Sequence, residues 1–230
     1  MRDVDFVNGN YYHVFNRGTD KRQIFQYGSD YERFYESLFL FNDANYASPG
    51  GEIRRSWARM VQYELDGKER QPLVSIISFC LIPNHFHSFL RQETDQGISK
   101  FLHRLSMGYT KYFNLRYSRT GHLFESAYKI VPVEQDAHFT HLSRYIHLNA
   151  LDGTDFKWRE GAILPTDWPG VLDALNQYRW SSHHVYMGEK QKLQVVNEDL
   201  VREFFTTSDD YVRFLNGWTG RFIPELPITE

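Results

Sequence analysis

Two histidines one residue apart interrupt an apolar run: "LIPNHFHSFL", residues 81–90, carries His85 and His87. In an extended chain, side chains at i and i+2 leave from the same face, so the two imidazoles converge while Phe86 faces the other way. Two neighbouring imidazoles suit one divalent metal ion. They equally suit ordinary hydrogen bonds inside a sheet, and the spacing alone leaves both readings open. A metal needs further donors, and a catalytic metal needs open positions. "SRYIHLNA" (143–150) offers candidates: Tyr145 and Asn149 lie four residues apart on one helical face, with His141 four residues earlier. Asn149 has a carbonyl oxygen to give to a metal, and Tyr145 a phenol to set against a phosphate held by the same ion. The plainer alternatives are a tyrosine packed in the core and an asparagine capping a helix end.

These residues need elements to hold them. "YYHVFNRG" (11–18) reads as a strand that enters a turn at its glycine, and "SDYERFYESLFLFN" (29–42) as a helix capped by Ser29. "ASPGGE" breaks that helix, residues 52–66 allow another, and "LDGKERQP" is loop. "LVSIISFCLI" (73–82) is a continuous apolar run typical of a central strand, and Pro83-Asn84 turns it into "HFHSFLRQ" (85–92), so the histidines sit on the second arm of a hairpin. Residues 96–119 are helical, with Ile98, Phe101, Leu102, Leu105 and Tyr109 as the buried stripe and Gly121 just past the end. "SAYKIVPV" (126–133) is a further strand, and 134–151 a helix bearing Tyr145 and Asn149. The order predicts an α+β fold of ferredoxin-like type: a four-stranded antiparallel sheet covered by helices on one face, followed by irregular chain at 152–179 and a small helical C-terminal appendage.

Composition narrows the setting. A 230-residue chain with 41% hydrophobic and 24% charged residues is an ordinary globular composition. A single cysteine, Cys80, excludes an intramolecular disulfide and reads as a buried thiol. The first residues lack the apolar core of a signal peptide and no run is long enough to span a bilayer, so a cytoplasmic location is expected. Net charge is −3, yet residues 100–130 hold six bases against Glu125 alone, while 195–230 hold seven acids against three bases. A basic stripe on an acidic chain can attract phosphate locally. Arg104, Lys111, Arg116 and Arg119 are therefore candidate contacts to a phosphate group, with Arg17, Lys21 and His122 as further candidates. Trp180 is expected to dock the C-terminal segment.

In combination, "CLIPNHFHSFL", "NLRYSRTGHLFESAYK" and "SRYIHLNA", with "HVFNRGTDKRQIF" before them and "YRWSSHHVYMG" after, resemble the REP-associated tyrosine transposases, single-tyrosine HUH endonucleases related to insertion-sequence transposases. The resemblance runs in order from about residue 11 to 188. It implies a ferredoxin-like catalytic domain over 1–151, with an insert at about 43–72, ahead of a 152–230 linker and appendage. It implies His85, His87 and Asn149 as ligands of Mg²⁺ or Mn²⁺, and Tyr145 as the nucleophile that cleaves single-stranded DNA near hairpin, REP-like elements through a 5′-phosphotyrosine. It implies a bacterial, nucleoid-associated protein, with a monomer expected over a homodimer. Two departures stand out: Ala150 follows Asn149 where relatives often have proline, and Glu125 stands where they often have glutamine. The competing readings are a catalytically silent DNA-binding regulator of the same fold and an unrelated metallohydrolase built on the His-x-His pair.

Overall fold

The computed structural model describes residues 5–46, 57–65, 69–134, 136–161 and 163–218. Its centre is a four-stranded antiparallel sheet of β1 (Tyr11–Arg17), β2 (Val74–Ile82), β3 (His85–Gln92) and β4 (Lys129–Val133), in the spatial order β2-β3-β1-β4. With α1 (Gly28–Leu40) after β1 and α3 (Gly97–Arg116) after β3, this is the ferredoxin-like order. α2 (Trp57–Leu65) falls in the predicted insert; the rest of that insert's predicted helix, and the "ASPGGE" break, lie outside the described residues. β4 leads into α4 (Asp136–Leu148), which tightens into a 3-10 turn at Asn149–Leu151, and α5 (Trp168–Gln177), α6 (His183–Tyr186), α7 (Glu198–Phe204) and α8 (Ser208–Asn216) follow.

β2 and β3 form the expected hairpin, with Ile82 opposite His85 across Pro83-Asn84. The turn is clamped from outside the hairpin. The Pro83 carbonyl accepts from the amides of Ile24 and Phe25 (2.8 and 3.0 Å), and that of Asn84 from Gly18 (2.9 Å). Gly18 is required there: a Cβ would lie 2.3 Å from the Arg22 carbonyl oxygen.

Helices cover both faces of the sheet, not one. Phe86 and His87 leave β3 in opposite directions. Phe86 meets Phe34 of α1, ring centroids 5.0 Å apart, on the layer where α1 and α3 pack together. His87 meets Tyr145 of α4 at 5.7 Å, and Phe89 meets Phe139 at 4.4 Å. Where helices are expected on one face alone, α4 covers the second, and both faces of β3 are largely buried. Burying a side chain the size of Phe86 or Phe89 contributes roughly 1.5–3 kcal/mol.

Two expected helix ends differ. α1 begins at Gly28 with Tyr27, not Ser29, at the N-cap, and Asp30 in the first turn reaches back: its buried carboxylate accepts from the amides of Gln26 (2.9 Å) and Tyr27 (3.1 Å). The same carboxylate accepts from the hydroxyls of Tyr112 (2.9 Å) and Tyr117 (2.6 Å), so one group caps α1 and docks α3. Just past this C-terminal end of α3, Ser118 already turns left-handed (φ 49°), ahead of Gly121 (φ 82°).

The chain after residue 151 packs against the sheet. Its backbone runs along the outer edge of β2: the amide of Leu81 donates to the Trp180 carbonyl (2.8 Å), that of Ser182 to Phe79 (2.9 Å), and that of Asn197 to Ile76 (2.8 Å). The Trp180 ring stacks on Tyr31 of α1 at 4.9 Å. Cys80 is fully buried beside this seam, and burial pushes its thiol well above the ordinary range.

Candidate active site

The histidine face of the sheet is built by alternation. Across β1 and β3, Phe15 lies opposite His87, Arg17 opposite His85 and His13 opposite Phe89, so all share one face. Phe15, Arg17, His85 and His87 form one wall of a cavity of about 550 Å³, which Lys21, Lys129, Asp152 and Arg159 also line. At its rim, Asp20 and Lys21 both adopt left-handed backbone (φ 57°). Two such non-glycine residues in succession cost on the order of 1–2 kcal/mol each, a strain typical of positions that serve a site.

The two strand histidines are prepared differently. His85 Nδ1 lies 2.6 Å from Asn84 Oδ1, which can only accept, so Nδ1 carries the hydrogen and Nε2 keeps a lone pair. Burial lowers the His85 pKa to about 4; Asp152 and a hydrogen bond to Asn149 oppose that, while Arg159 and Arg17 add to it. His87 Nδ1 lies 3.0 Å from His13 Nε2, and one hydrogen is shared between them. His87 Nε2 and His13 Nδ1 are buried with no partner among the described residues. Burial holds His87 well below its ordinary pKa, helped by His85, His13 and Arg159, and burial lowers His13 to about 3. All three rings are therefore neutral at pH 7.

A buried nitrogen without a partner costs roughly 1–3 kcal/mol, which a ligand would recover. Among the described residues no three His, Cys, Asp or Glu side chains converge on one point. A third donor would have to be a neutral oxygen, and Asn149 is within hydrogen-bonding reach of His85. The donor set of two imidazole nitrogens and one amide oxygen fits a divalent cation. It fits in one tautomer only: the shared hydrogen must sit on His87 Nδ1, leaving Nε2 free to ligate and His13 Nε2 to accept.

Asn149 caps its own helix and also faces the site. Its Nδ2 donates to the Tyr145 carbonyl (2.6 Å), capping α4, while its Oδ1 turns toward the site and accepts from Arg159 Nη2 (2.6 Å). Tyr145 is 2% exposed, its ring set edge-on to His87, His13 and Trp158. Its hydroxyl accepts from Arg159 Nη1 at 3.4 Å. Burial raises the phenol's pKa, and the Arg159 charge works against that rise. Arg159 is anchored by the Asp152 carboxylate, with Nε to Oδ1 at 3.1 Å and Nη2 to Oδ2 at 2.8 Å. Burial opposes its charge, but Asp152 outweighs burial and raises its pKa.

The structure thus brings together His85, His87, Tyr145 and Asn149, with Arg17 and Lys21 on the same cavity. Arg17 is paired with Glu125 there (2.9 Å). It does not bring in the basic residues of α3, which packs on the opposite face. Arg104 donates to the Asp43 carbonyl (2.7 Å), Arg116 faces Asp30 (3.5 Å), Arg119 donates to Asn114 (3.0 Å), and Lys111 is exposed. His122 lines a separate, larger groove beside α3, of about 930 Å³, which holds neither strand histidine. His141 accepts from Arg144 and packs on Phe214. Three contributors were not singled out from the sequence: His13, Asp152 and Arg159. His13 had a signal, since Tyr11, His13 and Phe15 alternate onto one face of their strand. Arg159 and Asp152 had none, being set in an irregular stretch.

A family model described as "Transposase IS200 like" matches residues 53–149, a span that contains both strand histidines, Tyr145 and Asn149. A solved structure of a REP-associated tyrosine transposase bound to a REP hairpin aligns over 82% of this chain and 86% of its own, at 10% identity and a TM-score of 0.49. No curated protein matches the chain. Among the described residues no helix is long and apolar enough to cross a membrane. Over residues 53–149, about two fifths of its length, the chain is similar to the IS200-like transposases.

Proposed function

We propose that this protein is a transposase, a metal-dependent endonuclease and strand transferase acting on single-stranded DNA near hairpin repeats, with Tyr145 as nucleophile. The observation that carries the reading is the partnerless Nε2 of His87, buried beside the Tyr145 ring on the wall of a cavity with Arg17, Lys21 and Lys129 at its edge. His85 Nε2, His87 Nε2 and Asn149 Oδ1 would hold a Mg²⁺ or Mn²⁺ ion. Bound there, a divalent ion supplies charge compensation to a non-bridging phosphate oxygen.

The chain's own groups do the rest. Arg17, Lys21 and Lys129 bind the DNA backbone at the rim, with Glu125 tempering Arg17. α4 and the ring packing around Tyr145 fix the line of attack. The Tyr145 oxygen forms a bond to phosphorus as the bond from phosphorus to the 3′-oxygen breaks. The phenol proton leaves to solvent and the 3′-oxygen takes one up, so the exchange is balanced. The product is a 5′-phosphotyrosine and a free 3′-hydroxyl, and the linkage keeps the phosphodiester energy for rejoining. Residues 1–151 carry these groups, with 152–230 as the C-terminal extension.

Labelled single-stranded hairpin DNA incubated with the protein and Mn²⁺, then run on a denaturing gel, tests this. The expected result is a covalent band that disappears in Tyr145→Phe. Binding with no band would make the protein a silent regulator. Cleaved product without a band, unaffected by Tyr145→Phe, would make it a hydrolase.

A further inference from the structure

Neither Tyr145 nor Asn149 lines the cavity; Arg159 does, and its guanidinium contacts both. The nucleophile is 2% exposed and the candidate third ligand 0%, so a phosphate and an ion approaching from the cavity meet Arg159 first. The Asn149 contact is short and charge-assisted (2.6 Å), whereas the Tyr145 contact is long (3.4 Å). An ion ligated to the same Oδ1 would sit beside the Arg159 cation. At about 4 Å and an effective dielectric near 20, two such charges repel strongly, and Asp152 cancels only part of that. A phosphodiester, by contrast, takes a guanidinium bidentately and better than a phenol and an amide do.

We infer that Arg159 is a substrate-phosphate-binding residue that holds Asn149 Oδ1 and the Tyr145 hydroxyl in the free protein and exchanges both for the DNA phosphate. The exchange frees Oδ1 for the ion and the phenol for attack. Asp152 holds Arg159 through Nε and Nη2, and the contacts open to exchange are those of Nη1 with Tyr145 and Nη2 with Asn149. Arg159 lies outside the span matched by the family model.

The inference rests on the metal and nucleophile assignment above, and the test separates the two. Mn²⁺ binding to the whole protein without DNA is measured by calorimetry, and binding of a single-stranded oligonucleotide without metal is measured across salt concentrations. The expected result is that Asn149→Ala hardly changes Mn²⁺ affinity in the wild-type background, where Arg159 occupies Oδ1. In the Asp152→Asn/Arg159→Gln background, which removes both charges together, Asn149→Ala should weaken Mn²⁺ about 10-fold. The same pair should lower the slope of log affinity against log salt by roughly 0.7, one phosphate contact to a single strand. Arg159→Lys, which keeps the charge but not the fork, should keep the slope and uncover the Asn149→Ala effect; it serves if the pair variant fails to fold. An Asn149→Ala effect equal in all backgrounds, or an unchanged salt slope in the pair variant, overturns the inference. His87→Ala marks which idea has failed: if it loses Mn²⁺ while those results stand, only the role of Arg159 falls, and if it binds Mn²⁺ like the wild type, the metal assignment falls and takes the inference with it.

Discussion

The molecule buries two histidine clusters, one on each side of α4, and they are finished differently. In the first, His13, His85 and His87 leave His87 Nε2 and His13 Nδ1 without partners. In the second, every ring nitrogen is matched. His183 Nε2 meets Asn176 Oδ1 (3.0 Å), His183 Nδ1 meets the Tyr211 hydroxyl (2.8 Å), Tyr211 meets His147 Nδ1 (2.8 Å), and His147 Nε2 meets Ser182 Oγ (2.7 Å). Because Asn176 Oδ1 only accepts, every hydrogen in this chain has one place: Ser182 donates to His147, His147 to Tyr211, Tyr211 to His183, and His183 to Asn176. "HFH" and "SSHHVY" look equally promising as text. What separates them is whether hydrogen bonds are left over, because only an incomplete cluster has something to offer a ligand.

The sharpest break between the two would come from cutting each. His87→Ala should lower metal-dependent cleavage about 1,000-fold in single-turnover assays while leaving most DNA binding; undiminished cleavage would remove His87 from the ligand set. His147→Ala strands both Tyr211 and Ser182 and opens a cavity in the fully satisfied cluster. It should cost about 3 kcal/mol, seen as a fall in Tm on the order of 9 °C, and a neutral result would mean the relay does not hold α4 to α8.

Toward protons the clusters should behave alike. Burial lowers His13 and His183 to about 3, against an unfolded value of about 6.5. The folded state therefore stays unprotonated where the unfolded state binds protons. Stability is full above about pH 6.5 and is lost as pH falls, by roughly 1.4 kcal/mol per pH unit for each histidine, until the folded values are reached. Denaturant midpoints between pH 7.5 and 5 should show this fall, with a flat profile contradicting it. The smallest expected effect is again a difference: His13→Phe removes the acceptor that selects the ligating tautomer of His87 and should weaken Mn²⁺ about 10-fold, whereas Tyr211→Phe should leave Mn²⁺ affinity alone.

Much of this was legible from residue order. The hairpin, the shared face of His85 and His87, and the helical spacing of Tyr145 and Asn149 follow from periods of 2 and 3.6 and a Pro-Asn turn, all local properties. What escaped was set by pairing and packing between distant segments. His13 reaches His87 only because β1 lies beside β3, and alternation in "HFHSFLRQ" cannot reveal that α4 will cover the polar face. The basic run of α3 is plain in the sequence, but which face of the sheet it lands on is a matter of topology, and it lands opposite the histidines. Arg159 comes from chain with no periodicity, so only its bonds to Tyr145, Asn149 and Asp152 disclose it.

The seam along β2 has a consequence of another kind. An exposed sheet edge is a template on which any extended peptide can add a strand, and it invites fibre-like association. Here the β2 margin is occupied by the chain's own backbone at Trp180, Ser182 and Asn197. The opposite margin, β4, carries Pro132, which has no amide hydrogen to offer a newcomer. Both borders of the sheet are thus closed to growth, one by occupation and one by a missing donor, and loss of the segment around Trp180 would convert a guarded protein into an aggregation-prone one.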